Sequence, residues 1–295
     1  MKNRGFDLLI GIILILAIAS CFVGLFSTQG IGQLEIETFL NQKVTLHGVG
    51  LYQYDSVSVA SQGLAQDVVT LVVAVPMLFL SWLLSKKGSL KATLILLGTL
   101  GYFLYTYVSY VFLWMLNPLF IVYVILMSTS FFAFTWLIAT IDAKKLMKQF
   151  KDSLPIKTLS IIQIALGIML LLMWGSMIFQ YIVSKELPTG LDHYTTLVIQ
   201  GLDLGFVVPV SLLSGILLIR RNALGYLLSS VVIIKGFSMA LAIMAMLVGQ
   251  TMAGVTIAFG EYVAFTTLSL LLVVALIMLI RNIFNEPVTT ILKTN

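Results

Sequence analysis

The sequence predicts an all-α integral membrane protein of eight transmembrane helices with both termini cytoplasmic, and an internal alignment points to two parallel four-helix repeats. Three observations lead there: a chain far more apolar than soluble domains, eight long apolar runs, and basic residues gathered on alternate loops. Of 295 residues, 60% are hydrophobic and 10% charged, with mean hydropathy +1.07. Soluble domains are usually about half apolar and about a quarter charged. A surface of that composition suits lipid rather than water.

A spanning helix needs roughly 20 apolar residues. The runs are Leu8–Phe26, Leu64–Leu84, Leu90–Met115, Leu119–Ile141, Leu159–Val183, Leu197–Ile219, Leu224–Val248 and Tyr262–Ile283. Short polar breaks such as "SKKGSLK", "LNP" and "RRNA" separate most of them. The first run follows a basic start and contains Ile18-Ala19-Ser20-Cys21, which resembles a lipoprotein signal box. The apolar run continues past Cys21, whereas polar mature sequence normally follows a signal peptide, so the expectation is a retained helix. Cys21 is the single cysteine, and no intrachain disulfide can form.

Lys and Arg in loops set orientation. With the N-terminus inside, fourteen of the seventeen fall on inner segments: Lys2, Arg4, Lys86, Lys87, Lys91, Lys144, Lys145, Lys148, Lys151, Lys157, Arg220, Arg221, Arg281 and Lys293. Lys43 and Lys185 lie outside, and Lys235 lies within a span. The expected organisation is residues 1–141 as a first four-helix half with an outer segment at 27–63, a basic cytoplasmic linker at 142–158, and a second half at 159–295. Aligning Pro76 with Pro209 brings "PMLFLSWLLSKKGSLKATLILLG" over "PVSLLSGILLIRRNALGYLLSSVV" with one gap. Each reads proline, half-helix, two basic residues, small loop and new helix, as in parallel repeats about the membrane normal. The linker's charges anchor the inner face or grip anionic headgroups, each worth about 1 kcal/mol near the surface.

Lys235 lies about 16 Å along its helix from the inner end, near the midplane. Charges at such depth usually pair or face a cavity. Asp203, within "GLDLG", is the one comparably deep acid, about 10 Å below the outer end of its span. A lysine stem can lean outward by several ångströms, so the two are expected to pair. Gly201 and Gly205 offer a small face for a neighbouring helix. Gln66 and Asp67 sit inside the second span, Glu261 opens the eighth, and Asn117-Pro118 opens the fourth. Tyr102, Tyr105, Thr106, Ser109 and Tyr110 follow i, i+3, i+4, i+7, i+8 spacing along one helix face. The inner half offers nothing comparable. These residues predict an outward-facing polar cavity around a buried ion pair, with Asp203, Lys235, Asp67, Gln66, Glu261, Tyr102, Tyr105 and Tyr110 as a ligand or proton pathway. The competing readings are helix packing for the ion pair and an interfacial aromatic belt for the tyrosines, Tyr107 in particular.

Other chemistry is absent. His47 and His193, with Asp55 and Asp192, lack the spacing of a metal site, and no cofactor is expected. No phosphate-binding G-x-x-x-x-G-K loop, H-E-x-x-H or G-x-S-x-G occurs. No basic patch on a soluble face implies nucleic acid. The stretches "GLYQYDSVSVASQGLAQDVVTL" and "VIIKGFSMALAIMAM" resemble segments of uncharacterised multi-pass bacterial membrane proteins. The resemblance brings no activity or substrate with it; the expected location is a plasma membrane, bacterial in origin. Three functions fit: a small-solute or ion transporter or its membrane component; a sensor or accessory subunit binding a small molecule or partner helix; and an enzyme on lipid-linked substrates, for which no catalytic constellation is visible.

Overall fold

In hydrocarbon every backbone N–H and C=O must be satisfied within its own segment, so long apolar runs become helices. The computed structural model, which describes residues 3–38, 41–188 and 190–293, is accordingly 74% helical. Among the described residues eight helices are long and apolar enough to cross a membrane, and they fit a multi-pass membrane protein. They are α1 (Arg4–Phe26); a second span made of α2 (Val57–Val69) and α3 (Val75–Lys86); α4 (Leu90–Phe112); and α5 (Phe120–Thr140). After a short α6 (Ala143–Met147) come α7 (Ile156–Ser184); a sixth span made of α8 (Val198–Leu202) and α9 (Val208–Ile219); α10 (Ala223–Met252); and α11 (Phe259–Arg281).

The helix α1 runs unbroken through Cys21, which is buried. The second span starts at Val57, well before the predicted Leu64, because Ser56 caps it: its Oγ accepts from the Val59 N–H at 3.2 Å. The all-α expectation needs one correction. Between α1 and α2 lies an antiparallel hairpin of β1 (Leu34–Glu37) and β2 (Lys43–Leu46), with Leu34 opposite Leu46 and Glu37 opposite Lys43.

Both two-piece spans break in the same way. A π-helical turn, Thr70–Ala74 or Asp203–Val207, precedes Pro76 or Pro209. Proline has no N–H to give and its ring crowds the carbonyl four residues back, so the ladder there must loosen. From Pro76 to Pro209 the displacement is 133 residues, and the same displacement relates both π turns, both ends of α3 and α9, and the starts of α4 and α10. The capping residues Ser89 and Asn222 correspond as well, and no gap is needed.

At the centre, α4 packs against α10. A Cβ on Gly98 would collide with the side chain of Ile234, and one on Gly101 would lie 3.7 Å from Lys235 Cγ. The basic loops meet at one end of the bundle, which we call the basic end. There Lys86 Nζ and Trp82 Nε1 both donate to Asp7 at 2.9 Å, and isolated bridges tie Ser89 to Pro287, Ile141 to Leu292 and Phe150 to Ile283. The two halves differ at the other end. The helix α2 buries Val59, Ala60, Ser61, Gly63, Gln66, Asp67 and Val69, whereas α8 buries no residue. In α7 the last buried residue is Leu170, and in α11 the first is Leu268. The second half is therefore splayed at this end and the first half closed.

Candidate functional site

Asp203 opens the second π turn and is 8% exposed. Tyr105 of α4 donates its hydroxyl to Oδ1 at 2.7 Å, and Trp174 of α7 donates its indole N–H to Oδ2 at 2.9 Å. Lys235 does not form the expected ion pair: the ion pairs among the described residues are Lys43–Glu35 and Lys86–Asp7. Its ammonium rests instead on the ring of Tyr105, 3.9 Å from the centroid. Tyr105 thus stands between the charges, offering its π face to the cation and its hydroxyl to the anion. The lysine stem lies along Gly101, one turn before Tyr105, and this directs the ammonium onto the ring rather than onto the carboxylate.

The polar residues of the first half form a separate, filled network. Tyr52 and Tyr110 donate to the two oxygens of Asp67 at 2.7 and 2.9 Å. Gln66 Nε2 donates to Tyr102 at 2.5 Å and to Thr106 at 3.1 Å, and Thr70 lies 2.9 Å from the Tyr102 hydroxyl. All of these side chains are buried. Tyr107, Tyr110, Trp114 and Tyr123 stack around them, so Tyr107 is a core ring and not part of an interfacial belt. A cavity expected here is occupied by side chains. The polar stripe of α4 is split between two neighbours: Tyr102, Thr106 and Tyr110 face α2, and Tyr105 faces the π turn at Asp203.

Glu261 joins neither cluster. It is exposed in the first turn of α11, with no side-chain hydrogen bond or ion pair among the described residues. Gly201 and Gly205 do not admit a neighbouring helix, since a Cβ at either position meets nothing within 4 Å. Asn117 caps the turn into α5, its Oδ1 accepting from Leu119 N at 3.0 Å. The half of the bundle toward the basic end is also more polar than expected. Ser214 donates to Gln163 Oε1 at 2.6 Å and Gln163 Nε2 donates to Ser229 at 3.1 Å, joining α9, α7 and α10 in the core. Uncharged Gln and Ser barely dent an apolar run, so this network leaves little trace in the hydropathy pattern.

At the end away from the basic loops, Asp55 ties three connections together. Its Oδ1 accepts from Met115 N at 2.9 Å and from the Tyr194 hydroxyl at 2.8 Å, and the carboxyl is 1% exposed. Burial raises the Asp55 pKa to about 7, against the opposing pull of those two donors. His193 stacks on Tyr194 and bonds the Tyr54 carbonyl at 3.0 Å. Among the described residues no group of three or more His, Cys, Asp or Glu is arranged to hold a metal.

The surroundings of Lys235 and Asp203 remain accessible. In the half of the otherwise buried α4 away from the basic end, Gly101, Tyr105, Val108 and Phe112 form a partly exposed stripe at i, i+4, i+7, i+11. On α10, Lys235, Met239 and Ile243 form another at i, i+4, i+8. The site thus combines one ammonium, one hydrogen-bonded carboxylate and apolar flanks, beside a helix that buries nothing. Compared with protein-family profiles, curated proteins and solved structures, the chain matches none.

Proposed function

We propose that this chain is a transporter of a small anionic solute, or the membrane component of one. In this reading it is built from two parallel four-helix repeats, with the basic end cytoplasmic. The observation that carries the proposal is the pair of matched breaks. Interrupted helices in corresponding positions of two halves mark binding sites in transporters. Here each break carries polar groups: Thr70 with Gln66 and Tyr102 in one half, and Asp203 with Tyr105, Trp174 and Lys235 in the other. The solute site is assigned to the second half, where α8 buries no residue. Asp203 already holds two donors, whereas Lys235 has no carboxylate within 4 Å among the described residues, so the unmet demand is for an anionic acceptor. The buried Gln66, Asp67, Tyr102 and Tyr110 are the structural counterpart, closed by the aromatic rings.

Uptake of a panel of small organic anions into proteoliposomes tests the proposal. Flux that is lost in Lys235→Met, with the protein still folded, is the expected result. Absence of flux for every anion, with retained binding, would favour a sensor or accessory subunit instead. One observation supports that second reading: from Ala92 to Leu100 every α4 residue except the partly exposed Ile95 is buried, leaving the inner half shut. Orientation is tested separately, by reporters after Lys151, expected inside, and near Pro188, expected outside.

A further inference from the structure

At the basic end a hollow of about 460 Å³ lies between the linker, the α9–α10 turn and the chain after α11. Three cations line it: Lys148 and Lys151 from the linker, and Arg221 from the turn. None has a carboxylate within 4 Å among the described residues, although Asp152 lines the same hollow. With Asp152 counted, the hollow carries a surplus of positive charge and no acceptor that neutralises it.

Arg221 is the informative residue. It holds a left-handed backbone, φ 51°, which is unfavourable for an L residue with a long side chain. Its counterpart in the first half, 133 residues earlier, is Gly88 at φ 95°, the residue type that suits this turn. The turn itself therefore does not call for arginine. What arginine adds is a guanidinium directed into the hollow, with a fork of donors matched to phosphate oxygens. The N-terminus of α7 begins at Ile156 beside it and has no side-chain cap, so its positive dipole end adds to the same field.

The other walls are apolar. Ile156 is the first residue of a span, and Phe284 at the rim is 42% exposed. Behind them Phe150 and Tyr226 pack with ring centroids 5.2 Å apart, so the floor is fixed. Cations beside apolar surface at the mouth of a span match a phosphate that carries acyl chains, and not a free ion. We infer that this hollow binds the phosphodiester headgroup of an anionic membrane lipid, held by Arg221, Lys148 and Lys151. The site clamps the linker between the halves to the inner leaflet, independently of whether the chain transports anything.

The test uses the full chain in nanodiscs, with retained lipid counted by native mass spectrometry. Phosphatidylglycerol should be kept in preference to phosphatidylcholine. Arg221→Gly suits the backbone and removes the guanidinium. It should weaken that retention about fivefold, as expected for one cation near an anionic surface, while thermal stability in phosphatidylcholine holds or rises. Lys148→Gln with Lys151→Gln should weaken it further. Equal retention of the two lipids, or an Arg221→Gly protein that keeps phosphatidylglycerol as well as the parent, would overturn the site. Displacement of phosphatidylglycerol by millimolar inorganic phosphate would overturn the lipid assignment in favour of a soluble phosphate.

Discussion

Asp55 allows a quantitative experiment because its carboxyl is buried, neutral-donor-bound and outside the spans. Its pKa rises from 3.8 to about 7 in the fold. The unfolded chain thus releases this proton near pH 4, while the folded chain keeps it until near pH 7. The stabilisation is full below pH 4, declines between the two values, and is gone above about 7. A shift of about three units corresponds to about 4 kcal/mol, at roughly 1.4 kcal/mol per unit. Asp55→Asn does not titrate and still offers an oxygen to the Met115 N–H and the Tyr194 hydroxyl. His47 and His193, whose pKa values burial lowers, pull the other way as pH falls below about 6.5. They are present in both proteins, so the difference between the two isolates Asp55. In detergent, thermal unfolding should show the asparagine variant gaining on the parent by about 3 kcal/mol from pH 5 to pH 8. Parallel curves across that range would refute the buried, proton-holding carboxyl.

Three further perturbations follow from the packing. Tyr105→Phe keeps the ring beneath Lys235 but removes the donor to Asp203; the loss should be about 1.5–3 kcal/mol of stability, and an unchanged melting temperature would remove Tyr105 from the bridge. Gly24→Ala drives a Cβ into Asp67 and Gly98→Ala drives one into Ile234, so each should cost about 1–3 kcal/mol. Gly201→Ala and Gly205→Ala meet open space and should be neutral or gain up to about 1 kcal/mol; equal losses at all four would contradict the helix spacing. Ser214→Ala strips Gln163 Oε1 of its donor in the core, at about 1–3 kcal/mol by thermal unfolding.

The eight spans were legible because length and apolarity are local properties that any helix-forming run displays. The hairpin was not, since "LEIE" and "KVTL" are four-residue strands whose alternation is too brief to stand out. The depth of Lys235 could be counted along its helix, but its direction depends on Gly101, a residue of a different helix. Amphipathic spacing on α4 predicts one face because it assumes a single neighbour. This helix is surrounded, so Tyr102 and Tyr105, three positions apart, serve different partners. Trp174 and Tyr52, which donate to Asp203 and Asp67, carry no spacing signal because they lie 29 and 15 residues away on other segments, beyond the reach of helical periodicity.

The π turns have a consequence for how these spans respond to length. Each contains one residue more than an α-helix would use over the same stretch, so the segment beyond it is rotated by about 100° relative to uninterrupted helix. Asp203 sits at the start of such a turn and meets Tyr105 only in that phase. Straightening either turn into plain helix with every residue kept would swing α8 or α2 by about 100° and turn its polar side chains away from α4. Deleting one residue between Leu204 and Val207 instead removes the surplus, so the ladder closes as plain helix and α8 keeps its phase. Each π turn is therefore the place where its span tolerates the loss of one residue, whereas the same deletion within α8 or α2 rotates what lies beyond it.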